Sequence, residues 1–266
     1  MSFPPHAPTQ GSPDLAARLE PLRSGCGGGH RPWSELVADA DPDLSGPDAN
    51  AGEAPRTPLT CEGIEQLARR VADGRLLLLA DTNPAGESCD IVVAAPHATA
   101  DALNFMNRFG GLLRLAITQS RARRLRLHPM VHDQRPNAET YTVSIEARHG
   151  VTTGISTHDR ALTIRTALDA TNDQDLVSPG HVFPVIVADG GVSERAGAAD
   201  AAIYLLSRVA SEGSAVLSKV LDEDGRCLPA GRGRDFARAH GLLFASLADV
   251  VAGLRAAPRG RGERAA

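Results

Sequence analysis

The strongest constraint on the fold is a repeated change of hydrophobic period between residues 60 and 254. Ile64, Leu67 and Val71 have the spacing of one apolar helix face, and the apolar run 76–79 that follows is typical of a buried strand. Residues 141–147 alternate apolar and polar side chains, as a half-buried strand does. The same signals predict further strands at 91–95, 112–117, 182–187, 215–220 and 242–245, and further helices capped by Thr99 and by Thr157 and at 198–210, 235–240 and 247–254. Strands interleaved with helices predict an α/β (α+β) domain.

Composition divides the chain into one folded region and two tails. Residues 1–58 are rich in Pro, Gly and Asp and have little apolar periodicity, so we expect a disordered arm. Residues 59–256 form the predicted domain, and 42% hydrophobic residues are enough for one sizeable core. Residues 257–266 carry arginines among glycines and predict a flexible basic tail.

The bulk properties disfavour several classes of partner. A net charge of -4 provides no field that would gather nucleic acid or anionic lipid. No apolar run approaches the roughly 20 residues of a membrane helix, and the N-terminus lacks the pattern of a signal peptide. The four cysteines form no Cys-x-x-Cys pair, which fits a reducing compartment. We therefore expect a cytoplasmic protein that binds a small molecule, and neither nucleic acid nor a membrane.

Four segments carry specific motifs. They are Gly-Val-Thr-Thr-Gly-Ile-Ser at 150–156 followed by Asp159-Arg160, Asp-Leu-Val-Ser-Pro-Gly-His-Val-Phe-Pro at 175–184, Gly-Gly-Val at 190–192 followed by Arg195, and Asp-Glu-Asp-Gly at 222–225. In order and spacing they resemble 3,4-dihydroxy-2-butanone 4-phosphate synthase, the riboflavin-pathway enzyme that converts ribulose 5-phosphate to a four-carbon ketone phosphate and formate. The resemblance implies a single domain with a mixed sheet covered by helices, and a homodimer with active sites near the subunit interface.

The positions that hold magnesium in this family carry other residues here. In the family the ligands come from an acidic loop, Asp-Arg-Glu-Asn-Glu-Gly-Asp, and from the His of Arg-x-Gly-His-Thr-Glu. The metal-binding Glu corresponds to Gly86 and the His to Ala198, whereas Asp90 keeps its identity. Because magnesium requires oxygen-rich ligand sets, the resemblance predicts that the metal site is lost and that no cofactor is bound. Asp81 or Glu87 would be the substitute ligands in a synthase that kept its metal.

Three residues are candidates for catalysis: Lys219, His181 and Asp90. A Glu that acts as an acid or base in the family corresponds to Lys219, which reverses the charge at that position. A partly buried lysine can act as a base or form a Schiff base with a carbonyl, whereas a lysine facing water has no role. His181 begins a predicted strand where the family also has His, and its alternative role is that of a structural histidine.

Four further residues are candidates for substrate binding. Arg195 lies where the family binds the substrate phosphate, which a guanidinium fork fits well; the alternative is a salt bridge to Glu194 or another acid. Thr152 and Thr153 can present hydroxyl groups to a ligand or simply form a turn. Asp200 occupies the position of the Glu in the family's second ligand motif.

These observations favour a divergent family member with a reused pocket. We expect a metal-independent enzyme of specialised metabolism, with rearrangement, cyclisation or lyase chemistry on a small oxygenated substrate. The replacements concentrate in the ligand motifs and at Lys219, while the core periodicity is retained. Two alternatives fit the same sequence: a catalytically inactive scaffold or regulatory homologue, and an authentic synthase with substitute ligands.

Overall fold

The computed structural model describes residues 60–82, 87–131, 138–210 and 213–256. The predicted arm at 1–58 and the predicted tail at 257–266 lie outside these residues, as does Gly86. None of the helices in the described ranges combines the length and the apolar character needed to cross a bilayer.

Strands and helices alternate along the described chain. The strands are β1 (Leu77–Asp81), β2 (Ser88–Ala94), β3 (Arg114–Ile117), β4 (Thr140–Tyr141), β5 (Ile145–Ala147), β6 (Leu176–Ile186), β7 (Ala215–Lys219) and β8 (Leu243–Ser246). The helices are α1 (Cys61–Ala72), α2 (Ala100–Phe109), α3 (Gln119–Arg124), α4 (Thr157–Asp169), α5 (Ala198–Leu206), α6 (Ala230–Ala239) and α7 (Leu247–Ala256), with short 3₁₀ turns at Ala95–His97 and Gly191–Ser193.

The strands form one mixed sheet in the order β4-β6-β3-β7-β2-β1-β8, and β5 pairs with β6 beside this path. The β1–β8 and β3–β6 pairs are parallel, whereas β2 is antiparallel to both of its neighbours. Alternate side chains of each strand enter two cores. One core packs against α2, α4 and α6, and the other packs against α1, α5 and α7. The predicted α/β architecture of a mixed sheet covered by helices is therefore confirmed.

Hydroxyl groups cap the starts of several helices, and the cap predicted at Thr99 is confirmed. The hydroxyl of Thr60 accepts a hydrogen bond from Gly63 N at 3.1 Å, and Thr99 caps α2 in the same way. Gly74, with φ of +94°, takes the left-handed conformation that follows α1. The cap predicted at Thr157 is wrong by one residue, because the Ser156 hydroxyl accepts from the third amide of α4.

One predicted strand differs from the structure, and one helix was not predicted. The strand predicted at 141–147 is divided into β4 and β5, which pair with different parts of β6. Pro184 of β6 has no N–H, so at this position the ladder retains only the bond from Thr142 N to the Pro184 carbonyl. Helix α3 was not predicted because its sequence, Gln-Ser-Arg-Ala-Arg-Arg, contains almost no apolar residues and therefore has no readable period.

Candidate active site

A cleft of about 580 Å³ opens at the end of the sheet where β1 and β7 finish and β3 begins. Helix α5 begins beside it, and α7 ends beside it. Small residues around the start of α5 leave the space open. The lining residues are Asp81, Leu112, Arg114, Glu139, Tyr141, Glu194, Arg195, Ala196, Gly197, Ala198, Lys219 and Arg255.

Lys219 and Asp90 form an ion pair in the wall of this cleft. They are directly opposite in the antiparallel β2–β7 pair, although they are 129 residues apart in the chain. Lys219 Nζ donates to Asp90 Oδ2 at 2.7 Å and to the Ser88 hydroxyl at 2.9 Å. The Asp90 side chain is fully buried, while that of Lys219 is 41% exposed. Because an ammonium has three N–H groups, one donor of Lys219 remains for a ligand. Lys219 is also the sole lysine in the 266-residue chain.

Arg114 extends the ion pair into a chain of alternating charges. Its guanidinium donates to the second oxygen of Asp90 and to Glu139, and the Tyr141 hydroxyl donates to Glu139 Oε2 at 2.9 Å. Burial alone would lower the pKa of Arg114, but the charges of Asp90 and Glu139 outweigh it and hold this pKa above its usual value. Burial, with the nearby Glu139 charge, raises the pKa of Tyr141 to about 12. Tyr141 is thus a neutral donor at physiological pH.

Sequence reasoning missed Arg114, Glu139 and Tyr141. A usable signal existed for Arg114, because it is the one charged residue in the apolar run 112–117. A charged residue in a buried strand needs a partner, and this requirement points to a site. No comparable signal marks Glu139, whose role depends on the position of β4 beside β6.

The described residues around Asp90 do not form a ready set of ligands for a divalent cation. Both carboxylate oxygens of Asp90 already accept hydrogen bonds from positively charged groups. Ala198, which corresponds to the family's His, lines the cleft with a methyl group. Within the described ranges, no three His, Cys, Asp or Glu side chains are grouped as a metal site would require.

Arg195 lines the cleft, but its side chain is bonded to that of the buried Asp200. Asp200 is fully buried and accepts from Arg195 Nε at 2.8 Å and Nη2 at 3.0 Å, and from Ala188 N at 2.8 Å. The other Arg195 donors reach the carbonyls of Ala138 and Ile186 and the Thr140 hydroxyl. All five N–H groups of Arg195 are therefore occupied. The salt bridge named as the alternative is present, with Asp200 rather than Glu194 as its partner.

The remaining candidates form a second polar group that does not line this cleft. His181 Nδ1 lies 2.8 Å from Glu146 Oε2, and the Thr152 hydroxyl donates to Asp159 Oδ2 at 2.8 Å. Gly154 belongs to the same turn: it has φ of +77°, and a Cβ there would overlap the Glu146 carboxylate. Thr153 is exposed. The structure thus brings Lys219 and Asp90 together and leaves His181, Thr152 and Thr153 elsewhere.

Comparison with known proteins decides the family. The family model for 3,4-dihydroxy-2-butanone 4-phosphate synthase matches residues 65–253. The chain belongs to this family. The synthase of Photobacterium phosphoreum is 35% identical over 196 residues, which are 73% of this chain and 54% of that protein. The synthase of Cupriavidus pinatubonensis is 37% identical over 206 residues, 76% of this chain and 92% of that protein.

Some relatives in the synthase family are much longer than the shared region. The riboflavin biosynthesis protein RibBA of Aquifex aeolicus is 35% identical over 193 residues, 71% of this chain but 48% of that protein. The chain therefore spans about half the length of several curated relatives that it matches.

Solved structures of synthases share the fold. A crystal structure of the synthase in complex with two magnesium ions superposes with a TM-score of 0.67 at 31% identity, covering 73% of this chain and 96% of that one. The two-domain synthase RibBX of A. baumannii gives 0.66 at 32% identity, covering 70% and 56%.

Proposed function

We propose that this synthase-family protein is an enzyme whose cleft converts a small oxygenated substrate without a magnesium ion held by its side chains. The supporting observation is the Lys219–Asp90 ion pair in the wall of an open cleft. Rearrangement, cyclisation and lyase reactions of such substrates pass through an enolate or alkoxide oxygen. A preorganised cation next to that oxygen lowers the barrier.

Lys219 has the geometry for this role. Asp90 and Ser88 hold its ammonium, and the third N–H can donate to a substrate carbonyl that gains negative charge during the reaction. Asp90 is itself fixed from the other side by Arg114. We assign Lys219 the role of an electrophilic donor rather than that of a Schiff base, since its Nζ is held by Asp90 and Ser88, whereas imine formation requires an amine that is free to attack.

A second candidate function is the authentic synthase reaction on ribulose 5-phosphate. It is supported by the relatives named as synthases at 35% to 37% identity. Magnesium would then need substitute ligands, such as Asp81, whose carboxylate lines the cleft. The scaffold alternative is less favoured, because the cleft is open rather than filled by side chains.

Formate release separates the two enzymatic functions. The purified protein is incubated with ribulose 5-phosphate, with magnesium or with EDTA, and formate is measured with a coupled dehydrogenase. We expect no formate above the blank in either condition. Formate that forms only with magnesium would establish the synthase and overturn our proposal.

Turnover of other substrates tests the proposal directly. Small ketose phosphates and oxo acids are incubated with the protein in EDTA and followed by mass spectrometry. We expect one of them to be consumed by the wild type and not by Lys219→Met, which keeps the side-chain length without the charge. Borohydride treatment during turnover should add no mass to Lys219, and a trapped adduct there would instead show a Schiff base.

We also propose, from the family resemblance, that the protein is a homodimer. Light scattering should then give twice the 27.9 kDa of one chain. A mass of 27.9 kDa at micromolar concentration would contradict this proposal.

A further inference from the structure

Four basic side chains line the cleft, but Arg195 has used all its donors internally and Arg114 is buried between two carboxylates. Arg195 has donated all five N–H groups to Asp200, Thr140 and backbone carbonyls. Arg114 is 3% exposed and lies between Asp90 and Glu139. Lys219 keeps one donor, next to Asp90. The position that the family resemblance assigns to the substrate phosphate, Arg195, therefore has no donor left for it.

The fourth basic residue, Arg255, is different. It lies in the last turn of α7, is exposed, and donates one hydrogen bond, from Nη2 to the Val192 carbonyl at 2.8 Å. This bond fixes the guanidinium against the 3₁₀ turn Gly191–Ser193, next to the start of α5. Among the residues that the structure describes, no carboxylate pairs with Arg255. Four of its five N–H groups are available to a ligand.

We infer that Arg255 binds a phosphate group of the substrate, in place of Arg195. The inference rests on the proposed function, in that it assumes a substrate in this cleft. A guanidinium fork matches two phosphate oxygens, and such charge-assisted bonds are stronger than neutral ones. Arg255 would hold the phosphate at the exposed side of the cleft while the free N–H of Lys219 meets a carbonyl oxygen in its wall.

Equilibrium dialysis against labelled inorganic phosphate, at constant ionic strength, tests this role without any turnover. We expect saturable binding to the wild type and at least about tenfold weaker binding to Arg255→Gln, the loss that one charge-assisted bond accounts for. Arg232→Gln is the matched control, because Arg232 is also exposed, lies on α6 outside the cleft, and loses the same charge. Its affinity should equal that of the wild type.

The amide resonance of Lys219 reports independently on whether phosphate binds in the cleft. Protein labelled with ¹⁵N-lysine has a single labelled amide, since Lys219 is the sole lysine, and phosphate should shift this resonance in the wild type. Binding to Arg255→Gln within twofold of wild type, or a wild type without saturable binding, would overturn the inference. Lys219→Met should retain phosphate affinity even if it abolishes turnover, so a failed inference and a failed proposed function give different results.

Discussion

Replacing Asp200 with Asn removes the buried negative charge that Arg195 requires. The two side chains are 0% and 10% exposed and share two hydrogen bonds, at 2.8 and 3.0 Å. Asn keeps the size but places an NH₂ group against one Arg195 donor or against Ala188 N, because its single oxygen cannot accept all three bonds. Breaking a buried pair in this way costs about 3–5 kcal/mol. At roughly 2–4 °C per kcal/mol for a domain of this size, Tm should fall by about 6–20 °C.

Thermal unfolding and phosphate dialysis together test the Asp200 prediction. The control is Asp224→Asn, because Asp224 is 74% exposed and its 3.2 Å pair with Arg226 is a surface pair worth about 0–1 kcal/mol. We expect Asp200→Asn to lose stability while the folded fraction keeps its phosphate affinity below Tm. The opposite result, unchanged Tm with weakened phosphate binding, would show that the Arg195–Asp200 pair serves the ligand and would refute the structural role assigned here.

Two further predictions concern ionisation. Burial, with the Asp90 charge, raises the pKa of the Cys89 thiol to about 12, so iodoacetamide at pH 8.5 should label exposed Cys227 and spare Cys89, as peptide mass spectrometry would show. Between pH 9 and about 12 the unfolded thiol ionises first, so Cys89 should lower the free energy of unfolding as pH rises. Burial opposes charge on Asp159, but hydrogen bonds from Thr152 and Gly154 outweigh it and lower its pKa. Asp159 should therefore stabilise the fold above pH 3.8 and lose this effect as pH falls through its native pKa; Asp159→Asn should flatten the acid limb of urea unfolding curves.

The fold was predictable because its signals are local. The spacing of Ile64, Leu67 and Val71 and the cap at Thr99 depend on residues within a turn of each other, and the structure has helices at these positions. The division of β4 from β5 was not predictable, since it depends on which part of β6 each segment meets. Periodicity specifies which face of a strand is buried and does not specify its partner.

The candidate site was only partly predictable, for the same reason. Lys219 and Asp90 were each singled out, but the cross-strand register that makes them neighbours is a tertiary property. The assignment of Arg195 to a ligand was reasonable for an arginine in that motif. Its five internal bonds depend on how β4, β6 and α5 pack together, which the local sequence does not specify. Arg255 was not predicted as a site residue, because nothing in its local sequence distinguishes it from a solvated arginine at a helix end.

An ammonium and a divalent cation compete for the same carboxylate, and the charges in the cleft wall favour the ammonium. A divalent ion about 4 Å from the Lys219 ammonium would be repelled by about 8 kcal/mol at an effective dielectric constant near 20. The Asp90 carboxylate at the same distance would attract the ion by about the same energy. The two effects cancel, so a divalent ion beside Asp90 gains no net attraction from this pair while Lys219 stays in place. Lys219 therefore does more than occupy the position of an acid: its ammonium favours an anionic oxygen beside it, as the Arg255 guanidinium does at the exposed side of the cleft.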